Sequence, residues 1–123
     1  MKLSVLSSGS KGNCYILSHD NDKLLLDSGI GIDKIRRGVG YDLASLQSCL
    51  ISHQHQDHAK AGAELVSNFV ECLMSQETAT AFGIHAYYPN VTIDKGGVTS
   101  FGKWMVKSFP LEHDVDGTLG FMI

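Results

Sequence analysis

One short segment constrains this chain more than any other: Ser-His-Gln-His-Gln-Asp-His at positions 52–58. It follows an apolar run that ends at Ile51 and precedes an amphipathic run that begins near Ala59. The segment holds three of the chain's six histidines and one aspartate: His53, His55, Asp57 and His58. Four side chains able to bind a metal within six positions are rare, so the pattern indicates a metal site, although a solvent-exposed polar loop rich in histidine is the alternative.

The spacing of these side chains has a simple physical interpretation. In extended backbone, side chains two residues apart point to the same side, so His53 and His55 can reach one ion and Asp57 continues on that side. His58 would then project from the first turn of the helix that follows. Imidazole and carboxylate ligands suit zinc, manganese or ferrous iron. Since four ligands from one short loop rarely converge tetrahedrally on one point, a site for two ions is compatible with the pattern.

Composition places the chain among globular proteins. Of its 123 residues, 43% are hydrophobic and 19% are charged, which favours one folded domain over disorder or several domains. The net charge of −3 gives no global reason to expect nucleic acid, but metals could hold a polyanionic substrate locally.

Cysteines and hydropathy indicate the compartment. Cys14, Cys49 and Cys72 are odd in number and lie far apart within apolar stretches, which predicts buried thiols in a reducing compartment. No segment has the pattern of a signal peptide or the length of a membrane span. The sequence therefore predicts a cytoplasmic protein with no membrane partner.

Short strands alternating with helices predict α/β layers with a mixed sheet. The predicted strands are 2–6, 14–18, 23–26, 48–51, 71–74, 91–93, 98–101 and 104–109, and the predicted helices are 32–39, 59–69 and 76–82. Ser75 is the predicted N-cap of the last helix and Gly83 its C-cap. Gly62 costs the second helix about 1 kcal/mol relative to alanine, which favours close packing as the reason for its presence.

Several residues near strand ends have two interpretations each. The Ser/Gly-rich loop 7–13 is either a plain hairpin turn or a loop that faces the substrate. Asp27 is either a turn residue or an acceptor that fixes the histidine loop by hydrogen bonds. His113 follows a strand and is the predicted third ligand of the first ion, with a lone surface histidine as the alternative. His19 and His85 are predicted surface residues.

The chain resembles the metallo-β-lactamase superfamily over its whole length. The resemblance rests on Ser-Ser-Gly-Ser-Lys-Gly-Asn-Cys at 7–14, Leu-Leu-Asp-Ser-Gly at 25–29, the segment 52–58 with Gly62 after it, and His113-Asp114. The first of these motifs is most similar to the bacterial and phage branch of metal-dependent phosphodiesterases and nucleases. The fold implied is an αββα sandwich with the site at the edge between two sheets.

The resemblance also implies roles for particular residues. The implied metal ligands are His53, His55 and His113 for a first ion, and Asp57 and His58 for a second. Asp57 would also act in catalysis by orienting the attacking hydroxide, and Asp27 would brace the loop. Two divalent ions, zinc first with manganese or iron as alternatives, would hold that hydroxide and neutralise phosphoryl oxygens.

The function implied is hydrolysis of a phosphodiester, in nucleic acid or a cyclic-nucleotide-like phosphate. Two other hypotheses stay open: hydrolysis of a thioester or lactam, and a non-catalytic module that binds one ion or none. The superfamily's bridging aspartate and its last histidine have no match before Ile123, so residues 1–123 are predicted to form only the first half of the sandwich. A lone half would expose an apolar face, which favours a homo-oligomer or a missing C-terminal half as its cover.

Overall fold

A computed structural model of the protein describes residues 1–84, 89–112 and 116–123. The strands within these ranges are β1 (Lys2–Ser7), β2 (Cys14–His19), β3 (Asp22–Leu26), β4 (Leu46–Leu50), β5 (Cys72–Met74), β6 (Val91–Ile93), β7 (Gly97–Phe101), β8 (Trp104–Pro110) and β9 (Leu119–Met122). The helices are α1 (Ile32–Gly38), α2 (Gln56–Ala59), α3 (Gly62–Ser67) and α4 (Gln76–Ala81), with one 3₁₀ turn at Leu43–Ser45.

The strands form two sheets. The larger sheet has the order β1-β2-β3-β4-β5-β6, in which the first three strands are antiparallel and β3 to β6 are parallel. The smaller sheet has the order β7-β8-β9 and is antiparallel throughout. The predicted mixed sheet is confirmed. Because β3 and β4 are parallel neighbours, the loops that follow them lie at the same edge of the sheet.

The apolar side chains of the large sheet divide between two cores. Leu25 belongs to a core that also contains Ile35 of α1 and Leu65 of α3, whereas Leu24 belongs to a core shared with Trp104 and Val106 of β8. Successive residues of a strand point to opposite faces, which explains how adjacent leucines reach different cores. The layers are therefore helices, large sheet and small sheet, in agreement with the predicted α/β sandwich.

The apolar face that a lone half was expected to expose is largely covered. Leu24, Leu50 and Leu73 are at most 1% exposed, because the small sheet packs on them. The prediction was wrong on this face because it did not anticipate that β7, β8 and β9 would form a second sheet over it. Large apolar side chains such as Met105, at 65% exposure, remain open on the small sheet, and association with a second copy stays a prediction.

Two elements differ from the prediction. The single helix predicted over 59–69 is instead α2 and α3, because the backbone N–H of Ala61 donates to Ser28 O at 2.9 Å rather than continuing a helix. Phe69, the last residue of the predicted helix, has a positive φ of 63° and is 84% exposed, so it lies outside α3. Strand β9 was not predicted, since its four residues are stabilised as a strand by pairing with β8 rather than by a local pattern of their own.

Other local predictions are confirmed. Ser75 caps α4, since its hydroxyl accepts a hydrogen bond from the backbone N–H of Thr78 at 3.1 Å. A Cβ on Gly62 would lie 2.8 Å from the ring of Phe82 and 3.1 Å from Ile51, so close packing is the reason for this glycine. The helices in the described ranges are all too short or too polar to span a bilayer.

The three cysteines are buried free thiols, as predicted. Burial, and secondly the nearby charge of Asp27, raises the pKa of Cys14 to about 12. Cys49 and Cys72 are directly opposite each other on β4 and β5, and a hydrogen bond with Cys72 together with burial raises the pKa of the Cys49 thiol. Thiols held protonated in this way are unreactive at neutral pH.

Candidate metal centre

Three loops interlock at one edge of the large sheet. They follow β1, β3 and β4, and the third contains the histidine segment. Backbone hydrogen bonds join them: Asn13 N donates to Asp57 O at 2.7 Å, Ser28 N to His58 O at 2.8 Å, and Gly29 N to Asn13 O at 2.9 Å. Residues far apart in sequence are thereby held in fixed positions around the segment 52–58.

Glycine makes this close approach possible. A Cβ on Gly29 would overlap the backbone oxygen of Asp57, and a Cβ on Gly12 would overlap the backbone oxygen of Gly29. Gly12 also has a φ of 144°, which residues with a side chain rarely adopt. The loops therefore pack backbone against backbone, so closely that neither position has room for a side chain.

Asp27 links the end of β3 to both ends of the histidine segment. Its Oδ1 accepts a hydrogen bond from the backbone N–H of Ser52 at 2.8 Å, and its Oδ2 accepts one from the Ser52 hydroxyl at 3.1 Å. The same Oδ2 lies 2.8 Å from Nδ1 of His58. With a φ of 59°, Asp27 also occupies a turn conformation, so the two interpretations of this residue are compatible.

The three histidines of the segment form one cluster. The ring centroids of His53 and His55 are 5.0 Å apart, and those of His53 and His58 are 4.2 Å apart. His53 is 5% exposed, and its Nδ1 lies 2.9 Å from the hydroxyl of Ser52. Because Asp27 contacts Nδ1 of His58, the Nε2 atom is the one directed toward Asp57, whose Oδ2 lies 3.6 Å away.

The backbone explains why Asp57 differs from the prediction. His55 is extended, with φ −60° and ψ 142°, and it is the residue immediately before α2. Asp57 was predicted to continue on the same side of an extended backbone as His53 and His55. It lies instead within α2, because the helix begins at Gln56. His58 projects from the first turn of the helix, as predicted.

The donor types in this cluster fit a divalent metal. Three imidazoles and one carboxylate are ligands that zinc, manganese and iron accept. In the part of the chain that the structure describes, however, no three His, Cys, Asp or Glu side chains are placed to hold one ion as they stand. The predicted ligand His113 lies outside the described residues, as do its neighbour Asp114 and also His85, so the ligand assignment stays a prediction. His19 is on the surface, as expected.

Sequence reasoning did not single out two residues that contact the cluster, Asn13 and Ser52. The side-chain amide of Asn13 donates to Gly9 O at 3.0 Å and to Asp57 O at 3.2 Å, and lies 3.4 Å from Nε2 of His58. The signal was present, since Asn13 ends the Ser/Gly-rich loop. That loop is a hairpin turn between β1 and β2 that also contacts the histidine segment; a role in facing substrate stays a prediction.

Known proteins share both sequence and fold with this chain. The sequence profile of the metallo-beta-lactamase superfamily matches residues 8–121. The chain is 28% identical to Exodeoxyribonuclease WalJ of Streptococcus pneumoniae serotype 2, covering 92% of this chain and 46% of that protein. It is also 28% identical to Exodeoxyribonuclease YycJ of Bacillus anthracis, and this match covers 93% of this chain and 46% of that protein. It therefore spans about half the length of these curated relatives.

Solved structures agree on the fold. The Rm3 metallo-beta-lactamase superposes with a TM-score of 0.73 at 20% identity, covering 97% of this chain and 52% of that one. A flavo di-iron protein from Thermotoga maritima superposes with a TM-score of 0.69 at 18% identity, covering 90% of this chain and 30% of that one. Identities this low show a shared fold alone. The profile match over residues 8–121 establishes that the chain belongs to the metallo-β-lactamase superfamily.

Proposed function

We propose that this protein is a metal-dependent hydrolase that cleaves phosphodiester bonds, with nucleic acid as its substrate. The observation that carries the proposal is the contact of Asp27 with both Ser52 and His58, which gathers the histidine segment at the sheet edge. Two relatives that match along almost the whole chain are named exodeoxyribonucleases, which favours DNA over other phosphodiesters.

The proposed ligands are those implied by the resemblance: His53, His55 and His113 for a first ion, and Asp57 and His58 for a second. We propose zinc, with manganese or iron as alternatives, because these ions accept imidazole and carboxylate ligands together. Ions bound there would lower the pKa of a water molecule and neutralise charge on phosphoryl oxygens.

The protein's own residues have three tasks in this proposal. The carboxylate of Asp27 accepts the Nδ1 proton of His58 and so keeps Nε2 available as a donor to the metal. The Ser52 hydroxyl donates a hydrogen bond to Asp27, and its oxygen contacts Nδ1 of His53, which orients the ring of His53. The carboxylate of Asp57, 37% exposed, can accept a proton from the attacking water and orient it toward phosphorus.

The proposal also places the protein in the cytoplasm. Cys14, Cys49 and Cys72 are all free thiols, a state typical of a reducing compartment.

Substitution of a predicted ligand tests the function. We expect His55→Ala to lower metal-dependent hydrolysis of bis-p-nitrophenyl phosphate and of a 5′-labelled DNA oligonucleotide by about 100-fold or more, since changes even beyond the ligands themselves cost about 10- to 100-fold. His19→Ala, at an exposed histidine on β2, is the matched control and should retain the wild-type rate.

Three outcomes would contradict the proposal. If His55→Ala kept its diesterase activity, the assignment of His55 as a metal ligand would be wrong. Hydrolysis of a thioester or a lactam without hydrolysis of the diester would favour the other chemistry of the superfamily. One bound ion per chain or none, with no hydrolysis of any of these substrates, would indicate a non-catalytic module.

A further inference from the structure

A cleft, named here the lysine cleft, lies beside the histidine segment and carries more lysines than carboxylates. It has a volume of about 480 Å³, and three lysines line it from three different parts of the chain: Lys11 before the Gly12 turn, Lys34 in α1, and Lys60 after α2. All three are exposed, so their ammonium groups are open to a ligand from solvent.

The charge of the lysine cleft is not cancelled internally. Two carboxylates, Asp33 and Glu64, also line it, but Asp33 is already paired with Arg36 at 3.2 Å. Within the described ranges, none of the three lysines has a carboxylate within ion-pair distance. The cleft therefore concentrates positive charge locally on a protein whose net charge is −3.

The lysine cleft shares its scaffold with the candidate metal centre. Lys11 is two residues from Asn13, whose backbone N–H contacts Asp57, so the Cα atoms of Lys11 and Asn13 are no more than about 8 Å apart. Lys60 follows His58 by two residues. The backbone bonds that fix the histidine segment therefore also fix the wall of the cleft.

We propose that the lysine cleft binds phosphate groups of a nucleic acid strand next to the phosphodiester that is cleaved. This rests on the proposed function, since it assumes that the histidine segment is where cleavage occurs. Lysine ammonium groups contact phosphates as point charges without reading the bases, so the cleft would hold a strand of any sequence. Such contacts would offset the unfavourable overall charge.

Binding without catalysis tests the proposal. The measurement is fluorescence anisotropy of a labelled single-stranded DNA of about 12 nucleotides in EDTA, at several salt concentrations, a length within the range of single-strand site sizes. The variant Lys11→Gln/Lys34→Gln/Lys60→Gln should bind at least about tenfold more weakly than wild type. Its salt slope should fall by about 2, since each phosphate contact contributes about 0.7 on single strands.

A charge-matched variant is the control. Lys2, Lys103 and Lys107 are exposed lysines outside the cleft, so Lys2→Gln/Lys103→Gln/Lys107→Gln removes the same charge and should change binding less than about twofold. Equal weakening in both triple variants would show a general charge effect and overturn the proposal. Unchanged binding in the cleft variant, or no binding by the wild type, would overturn it as well.

A single substitution provides an independent test with little risk to folding. Gly31 lines the cleft, has an ordinary φ of −63°, and has nothing within 4 Å of the position of an added Cβ. Gly31→Glu places a negative charge in the cleft, whereas Gly31→Gln places a neutral side chain of the same shape. We expect Gly31→Glu to bind the DNA at least about tenfold more weakly than Gly31→Gln, and equal affinities would overturn the proposal.

Failure of the proposed function would be distinguishable from failure of this inference. If the metal-loaded protein does not hydrolyse any diester but the cleft variants lose DNA binding, the proposed function fails and the cleft assignment as a phosphate-binding site holds. If the protein hydrolyses DNA but the cleft variants bind DNA as the wild type does, the proposed function holds and the assignment of the cleft as a phosphate-binding site fails.

Discussion

Asp27 and His58 are 31 positions apart in sequence, yet Oδ2 of the first lies 2.8 Å from Nδ1 of the second. This contact joins the end of β3 to the first turn of α2, and it determines which nitrogen of His58 faces Asp57. A hydrogen bond from a histidine to a carboxylate is the usual way in which proteins fix the tautomer of a metal ligand. The contact therefore gives the most direct test of the site.

Replacing Asp27 by asparagine should weaken metal binding by about 10- to 100-fold. The amide oxygen would continue to accept from Ser52 N, which leaves the NH₂ group facing Nδ1 of His58. Two donors cannot share that bond, so His58 would be forced to protonate at Nε2 and could not bind a metal there. Zinc affinity measured by competition with a chelator checks this expectation.

Asp20 supplies the matched control for that experiment. It has a positive φ of 53°, close to the 59° of Asp27, but it is exposed in the turn between β2 and β3. Asp20→Asn should leave zinc affinity as in the wild type. Equal affinities in the two asparagine variants would mean that Asp27 does not position His58 for a metal.

Alanine at Gly29 should destabilise the fold by about 1–3 kcal/mol or more, the usual cost of forcing an atom into a packed position. Its Cβ would meet the backbone oxygen of Asp57, which cannot move without displacing the histidine segment. Gly31→Ala, two residues away in open space, should change stability by no more than about 1 kcal/mol. Urea denaturation followed by circular dichroism compares the two, and similar midpoints would contradict the interlocked arrangement of the three loops.

The buried thiol of Cys14 should be unreactive in the folded protein. Because its pKa is raised to about 12, the native protein should resist iodoacetamide at about pH 8 at this position and react only after unfolding in guanidinium. Mass spectrometry of the labelled protein checks this, and rapid labelling of Cys14 in the folded state would contradict its burial.

The same thiol should make the free energy of unfolding depend on pH above 9.0. The folded pKa exceeds the reference value of 9.0, so the native state holds this proton more tightly than the unfolded state does. Its contribution to stability is complete below pH 9.0 and is lost as pH rises toward about 12. Cys14→Ala should show a shallower fall in stability between about pH 9 and 11 than the wild type, and parallel curves would exclude the effect.

Zinc should stabilise the protein without being needed for folding. In the described part of the chain, neither apolar core includes a predicted ligand, so removal of metal by EDTA should leave the protein folded. Zinc at about 100 times its dissociation constant should add about 2.7 kcal/mol and raise the melting temperature. His55→Ala should reduce this shift, and unfolding in EDTA or an equal shift in His55→Ala would contradict the expectation.

The sequence by itself determined the histidine segment and most of the strands. Period-two and period-three-to-four patterns of apolar residues are local properties, which is why the α/β layers, the N-cap at Ser75 and the buried thiols could all be predicted. The clustering of His53, His55 and His58 also follows from local spacing, because an extended stretch and a helical turn place them on neighbouring positions.

Only the tertiary structure decided how that segment is held. The bond from Ala61 to Ser28 ends α2, the bond from Asn13 to Asp57 brings in the loop after β1, and β9 exists because β8 is beside it. Each depends on backbone groups that are distant in sequence and become neighbours when strands align their ends at one edge. A local sequence pattern does not contain information about contacts between residues distant in sequence. The lysine cleft is formed by the same loops, so it too could be found only in the folded chain.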